Sequence, residues 1–376
     1  MQRFRAVLVL LLVAFPWPAL ATERDDVDRV IVVGDVHGDY EQFVNVLRDA
    51  GVINKRERWR AGDAHLVQIG DLPDRGPESH RAIRLLQSLE RQAKRAGGEV
   101  HALIGNHETM VMRGDLRYVH PGEYAGLVDS RSERRQDDYF EKYVAYVKRT
   151  TPEAEWPAFG RAYRDEWNQR FPLGYVEHRQ AWSADGEFGG WVKEHDTLLR
   201  IDDSLFVHGG LDPAAERLPI QAINEQIRAE LLDARSSDDD SIINRADSPL
   251  WYRGLAVLPE TEENRALLDA MLAYYGVKRI VIAHTPLLGS IVPRFGGRVL
   301  VADVGLSAHY GRGRAILLIE DQQPFVLLNG ARVELPPYDS DIDAVEGYLR
   351  TIAPQLPKPE KVTTYLEALR RGIDPE

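Results

Sequence analysis

Five short apolar runs punctuate the chain, and each stops at side chains able to hold a cation. RVIVV (29–33) leads into Gly34-Asp35-Val36-His37, and HLVQI (65–69) into Gly70-Asp71. VHALI (100–104) leads into Gly105-Asn106-His107-Glu108, SLFV (204–207) into His208-Gly209-Gly210, and RIVIA (279–283) into His284-Thr285. Continuous apolar, β-branched runs of this length are what strands buried on both faces look like. Ligand sites in such sheets gather beyond the carboxyl ends of the strands. Between the runs the period changes. Tyr40, Phe43, Val44, Leu47 and Ala50 recur at helical spacing, with Asp39 placed to cap and Gly51 to stop the helix. Ile83, Leu85, Leu86 and Leu89 predict a second amphipathic helix over 79–96, ended by Gly97-Gly98. The alternation predicts an α/β fold.

Residues 111–195, between the third and fourth site-bearing strands, are rich in Arg, Glu, Tyr and Trp and predict helices, notably QDDYFEKYVAYVKRT and FGRAYRDEWNQR. Their position suggests a helical insertion that caps the site. DARSSDDDS (233–241) reads as a solvated loop. From Pro336 on, two amphipathic helices around PQLPKPEK read as a peripheral C-terminal tail (336–376) following a catalytic domain of 28–335. The first 21 residues have the three parts of a secretory signal peptide: basic Arg3 and Arg5, an apolar stretch over 6–15, and Ala19-Leu20-Ala21. Pro16 and Pro18 interrupt a run already shorter than the ~20 apolar residues of a spanning helix. The expectation is cleavage after Ala21, a periplasmic or secreted product, and no stable membrane association afterwards.

The chain has 376 residues, 44% of them hydrophobic, which is ample for a large core. Its formal charge of -12 argues against a nucleic-acid partner. An acidic protein that handles phosphate must gather positive charge locally, from metal ions or a few arginines. With no cysteine, disulfides and thiolate zinc sites are excluded.

Asp35, His37, Asp71, Asn106, His208 and His284 form a donor set of carboxylates, imidazoles and an amide oxygen. Such a set suits Mn, Fe, Zn or Mg, with manganese the first choice. Six ligands are more than one site takes while leaving room for water, so two divalent ions bridged by Asp71 are the economical reading. Such a pair clamps both sides of a phosphoryl displacement and makes a hydroxide from water near neutral pH. The glycines at 34, 38, 70, 76, 105, 209 and 210 would let the backbone turn each ligand inward. Within GDLPDRG, Arg75 offers a bidentate fork for phosphate oxygens, and Asp74 is placed to orient His107. His107, next to a ligand, could protonate the leaving oxygen. His65, His80, His101, His120, His178, His195 and His309 read as satisfied core histidines.

Taken in order, GDVHG, GDLPDRG, GNHE, HGG and AHT resemble the calcineurin-like metallophosphoesterases, in the phosphoprotein phosphatase branch. GNHETMVMRGDLRYV, FVHGGL and SPLWYRG are most similar to its Shewanella-like phosphatases. The resemblance covers residues 34–285. It implies a four-layer α/β/β/α sandwich and two metals, one bound by Asp35, His37 and Asp71, the other by Asp71, Asn106, His208 and His284. It also implies phosphate contacts from Arg75, an Asp74–His107 acid pair, and a second phosphate arginine at Arg253, which spacing alone marks only as a loop residue. ADVGLSAHYG stands where the eukaryotic enzymes carry a cysteine-containing loop. The function these expectations support is an exported phosphomonoesterase acting on phosphorylated proteins or peptides, phosphotyrosine or phosphoserine/threonine. The same motifs serve symmetrical dinucleoside-tetraphosphate and nucleotide hydrolases, which is the nearest alternative. A metal-binding interaction module without catalysis is a further one, disfavoured because metal retention alone needs none of Asp74, Arg75 and His107.

Overall fold

The computed structural model describes residues 22–233 and 240–373. The segment read as a signal peptide and most of the 233–241 loop lie outside the described residues. Two six-stranded mixed sheets carry the fold. In the first, β2 (Arg29–Val33), β3 (His65–Gln68) and β4 (Glu99–Ala102) run parallel. That set continues antiparallel through β10 (Ala315–Glu320), β11 (Gln323–Leu328) and β12 (Ala331–Glu334), giving the order β12-β11-β10-β2-β3-β4. The second has the order β1-β5-β6-β7-β9-β8, from β1 (Glu23–Arg24), β5 (Leu198–Ile201), β6 (Ser204–Val207), β7 (Arg279–Ile282), β8 (Val292–Arg294) and β9 (Val299–Val301). Here β6, β7 and β9 are parallel. The sheets lie between helices, so the expected layered α/β architecture is the one observed.

Local sequence explains most boundaries. β2 and β6 begin and end where their apolar runs do, and every residue of β6 is buried. Helix α1 (Tyr40–Asp49) is capped by Asp39, whose carboxylate accepts from the Gln42 N–H at 3.2 Å. Helix α2 (Ser79–Ala96) stops at Gly97, which takes the left-handed conformation at φ 91°. β4 ends at Ala102, two residues before its apolar run does. The Leu103 N–H reaches the Gln68 carbonyl at 2.8 Å, and the Ile104 N–H leaves the sheet for the Asp196 carbonyl at 2.9 Å. That step turns the chain into α3 (Asn106–Arg113), which opens on two site residues.

The insertion is helical, with α4 (Pro121–Ala125), α5 (Ser132–Thr150), α6 (Arg161–Arg170), α7 (Tyr175–Ala181) and α8 (Gly189–Val192). The 19-residue α5 buries only Ser132. Aromatic contacts hold it, chiefly Tyr139 and Phe140 against Trp167 of α6, with ring centroids 5.5 and 5.0 Å apart. Helices α9 (Ile220–Leu232), α10 (Gly254–Val257) and α11 (Glu262–Tyr275) follow in the second half. The C-terminal helices α12 (Ile342–Ile352) and α13 (Lys361–Arg371) form where expected, yet they are not peripheral. Val345, Leu349, Val362, Tyr365 and Leu366 join the main core, and the Tyr348 hydroxyl donates to the Ile291 carbonyl at 2.9 Å. Their apolar stripes were legible, but the surface that receives them is assembled from distant segments.

One buried side chain ties α9 to the second sheet. The Asn224 amide oxygen accepts from the Thr197 and Leu198 N–H groups at 2.9 and 2.8 Å, and its NH₂ donates to the Leu198 carbonyl at 2.9 Å. Asn224→Ala removes all three bonds and is expected to cost about 2–4 kcal/mol, because buried polar groups lose their partners. Chemical denaturation should show a lower midpoint with an unchanged native circular dichroism spectrum.

Candidate active site

The carboxyl ends of the parallel strands of both sheets meet at one point. Asp35 and His37 leave β2, Asp71 follows β3, Asn106 and His107 open α3, His208 follows β6 and His284 follows β7. All seven side chains are buried. Hydrogen bonds join the sheets here: the His208 ring Nδ1 lies 2.7 Å from the Ile69 carbonyl, and the His284 N–H donates to Asp35 at 3.2 Å. Backbone bonds from Val36 and His37 to the Asp71 carbonyl, both 3.0 Å, lock the first two motifs together.

Asp71 sits at the centre. One carboxylate oxygen lies 3.7 Å from His37 Nε2 and 3.8 Å from His107 Nε2, and the other lies 3.3 Å from His208 Nε2. Asp35 is 3.5 Å from His37 Nε2, and the Asn106 amide oxygen is 2.9 Å from His208 Nε2. Ligand atoms of His37, Asp71 and His107 cluster within 4.8 Å of one another, and so do those of Asp71, His208 and His284. Asp71 is thus common to two groups, the position of a bridging ligand. His107 joins the first cluster although the sequence assigns it to acid chemistry.

The residues fit a pair of divalent ions. His37 and His208 direct Nδ1 at backbone carbonyls, of Pro73 at 3.1 Å and Ile69 at 2.7 Å, which leaves Nε2 on each ring turned toward Asp71. The His284 Nε2 is buried with no hydrogen-bond partner. Burial, and then the neighbouring charge of His208, hold His284 well below its ordinary pKa, so its ring is a neutral donor. Burial alone would likewise favour neutral His37 and His208, yet the facing Asp35 and Asp71 carboxylates push them up to about 9 and about 10. The centre therefore demands positive charge, and divalent cations held by these six ligands would meet that demand.

The anion side is equally ordered. The Arg75 guanidinium lies over the Tyr118 ring, 3.7 Å from its centroid, and the Arg75 N–H donates to the Tyr118 carbonyl at 2.9 Å. Arg253 is held by the His284 carbonyl at 3.0 Å and the Thr285 hydroxyl at 3.2 Å. Asp74 accepts from His107 Nδ1 at 2.6 Å, which fixes the ring and turns Nε2 toward Asp71. An open cleft of about 680 Å³ borders the centre, lined by Tyr118 and Arg253 together with Met110, Arg113, Arg117 and Trp251. The insertion contributes Tyr118 to this wall, while α5 stays largely exposed.

His37, Asp71, Asp74, Arg75 and His284 are five of the fourteen non-glycine residues with positive φ among the described residues. Such conformations persist only where the surroundings over-determine them. The glycines divide into two kinds. Gly38, Gly70 and Gly210 do adopt positive φ. Gly34, Gly76, Gly105 and Gly209 do not; they are glycine for space, since a Cβ on Gly105 would stand 2.3 Å from an Asp71 carboxylate oxygen.

Several residues of the centre were not assigned a role from sequence. Glu108 accepts three buried N–H groups, from Asp71 at 2.9 Å, Leu72 at 2.7 Å and Gly105 at 2.8 Å. A glutamate three residues into a helix reaching back to its start is a readable capping pattern. Asp303, buried beside Asp35, is pushed well above the carboxylate range by burial and by the Asp35 charge. Tyr310 lies against His37, with ring centroids 5.2 Å apart, and His309 packs on Tyr310. Nothing local in ADVGLSAHYG marks these residues. Glu108→Ala is expected to lower bound metal and to reduce activity at least tenfold, because three buried N–H groups that hold the Asp71 loop lose their acceptor. Metal analysis beside a phosphatase assay checks this; an active variant with wild-type metal content would refute it.

The calcineurin-like phosphoesterase family model matches residues 28–287. Over 299 residues the chain is 31% identical to an uncharacterised protein of Schizosaccharomyces pombe, covering 77% of this chain and 76% of that protein. It is 28% identical over 311 residues to Shewanella-like protein phosphatase 2 of Arabidopsis thaliana, covering 77% and 74%. Among solved structures it resembles the cold-active protein-tyrosine phosphatase of a psychrophilic Shewanella, with TM-score 0.63, 27% identity, and coverage of 84% of this chain and 82% of that one. Fold, motif order and ligand clusters agree with these matches: the chain belongs to the calcineurin-like metallophosphoesterases and is a metal-dependent phosphoester hydrolase.

Proposed function

We propose that the chain is an exported phosphatase that removes phosphoryl groups from phosphorylated proteins or peptides. The observation that carries this reading is the Asp74–His107 pair, 2.6 Å apart, set between the metal cluster and a cleft lined by Arg113, Arg117 and Arg253. An imidazole held by a carboxylate at the metals has a use in releasing an alkoxide or phenoxide, and the likeness to protein phosphatases along most of the chain favours a side-chain phosphoester as its source. The open cleft suits a residue presented on a polypeptide. Manganese is our first choice of ion and iron or zinc the next, because the donors are carboxylate, amide oxygen and imidazole without thiolate. Divalent cations at the centre would supply Lewis-acid chemistry and water activation. His107 Nε2 then gives its proton to the leaving oxygen, Asp74 stabilises the charge on the ring, and Arg75 and Arg253 grip the phosphoryl oxygens. Tyr118 holds the Arg75 fork in its plane.

Purified protein assayed on phosphotyrosine peptide, phosphoserine peptide, nucleotide, dinucleoside tetraphosphate and p-nitrophenyl phosphate tests the substrate class. A peptide is expected to give the highest kcat/KM; preference for the dinucleotide would overturn the proposal. In the same panel His107→Asn should keep its metals and lower kcat by ~10²–10⁴ on phosphoserine peptide, whose leaving group needs a proton. It should lose much less on p-nitrophenyl phosphate, which leaves as a stable anion. Equal losses on both substrates together with reduced metal content would mean that His107 serves as a ligand instead.

Export rests on the basic, apolar and small-residue order of residues 1–21. N-terminal sequencing of the protein recovered outside the cytoplasm should begin at Thr22, and a retained full-length chain would exclude the cleavage.

A further inference from the structure

A second group of ligating side chains lies at the other end of the same strands. β3 and β4 pair with His65 opposite Glu99 and Val67 opposite His101, so His65, Glu99 and His101 project from one face. β4 is the edge of its sheet, and this face looks toward β1 of the other sheet, whose Arg24 forks the Glu99 carboxylate at 2.8 and 2.6 Å. The group thus fills the gap where the two sheet edges face each other. His65 is six residues before Asp71 along an extended strand, about 20 Å from the catalytic centre.

We propose that His65, Glu99 and His101 form a separate site for one borderline divalent ion of the zinc type. His101 Nε2 stands 3.1 Å from His65 Nδ1 and 3.9 Å from a Glu99 oxygen, and the three ligand atoms all lie within 4.8 Å of one another. Ligands on a tetrahedral ion with bonds of ~2.0–2.1 Å sit ~3.3 Å apart, so small side-chain rotations bring all three into range. The two imidazoles share a single proton across their nitrogen contact. An ion entering between them takes a lone pair from each ring once the proton on the contact has moved, by exchange with water, to the other nitrogen of its own ring, so both imidazoles stay neutral. The Arg24 fork uses part of the Glu99 acceptor capacity and orients the rest, since a carboxylate offers about four lone-pair sites. A cavity of about 560 Å³, lined by Glu99 and His101 with Arg24, Glu90, Trp191 and His195, gives an entry path and room for a water on the fourth position. The sequence alone suggested packing histidines here, because the residues are distant in the chain and only strand pairing aligns them.

The test uses the holoprotein equilibrated with Zn²⁺, freed of excess ion and counted by mass spectrometry, beside His65→Asn and His101→Gln. Each variant should retain wild-type turnover of p-nitrophenyl phosphate and hold about one ion fewer per chain. Glu99→Gln, which keeps the shape of the site, should weaken uptake of that ion at least tenfold. A zinc count equal in wild type and variants, with activity intact, would make the cluster a hydrogen-bonded packing motif and overturn the proposal.

Discussion

Five carboxyl groups are buried where the two sheets meet, and the rest of the centre follows from keeping them there. Asp35, Asp71, Asp74, Glu108 and Asp303 are each at most 4% exposed. Uncompensated, such charges would be too costly to bury. The protein meets the cost differently at each one. Histidines surround Asp71 and hold it well below the usual carboxylate range despite its burial. Glu108 takes three backbone N–H groups, Asp74 takes the His107 ring, and burial and the Asp35 charge push Asp303 well above the carboxylate range, which favours its uncharged form. What remains is a demand for cations at the Asp71 junction, which makes the place a metal centre.

The same demand explains the backbone. Ligands drawn from separate strands can converge only if the connecting loops lie almost in contact, and that leaves no room for side chains on several of them. Gly38 and Gly76 face each other so closely that a Cβ on either would overlap the other's segment, at 2.5 Å for Gly38 and 2.4 Å for Gly76. The GDVHG and GDLPDRG motifs are therefore one packing unit. The left-handed conformations at His37, Asp71, Asp74, Arg75 and His284 are the strain that accompanies this convergence. Strain of this kind persists because backbone bonds such as those from Val36 and His37 to Asp71 hold it from several sides.

The phosphate side is coupled to the metal side through shared backbone rather than through long side-chain chains. Arg75 follows Asp74 directly, and Arg253 is fixed by the carbonyl of His284, a proposed ligand. Movement of the His284 loop thus moves Arg253, the proposed phosphate contact. Tyr118, from the start of the insertion, adds an aromatic cushion under the Arg75 guanidinium.

Local sequence by itself determined the strands at 29–33 and 204–207, the helix at 79–96, the Asp39 cap, and the succession of ligating residues at strand ends. Those features depend on period, capping and turn chemistry, which act over a few residues. Asp35, His37, Asp71, Asn106, His208 and His284 were legible because each lies within four residues of the end of an apolar run. Tertiary structure alone decided which of those ends meet, that Asp71 is shared between two clusters, and that Gly105 is glycine to make room for the Asp71 carboxylate. It also decided that Asp303 and Tyr310 stand at the centre, that the C-terminal helices complete the core, and that His65 and His101 lie nitrogen to nitrogen. Each of these is a contact between segments tens to hundreds of residues apart. Strand order and sheet pairing set such contacts, and no local pattern encodes them.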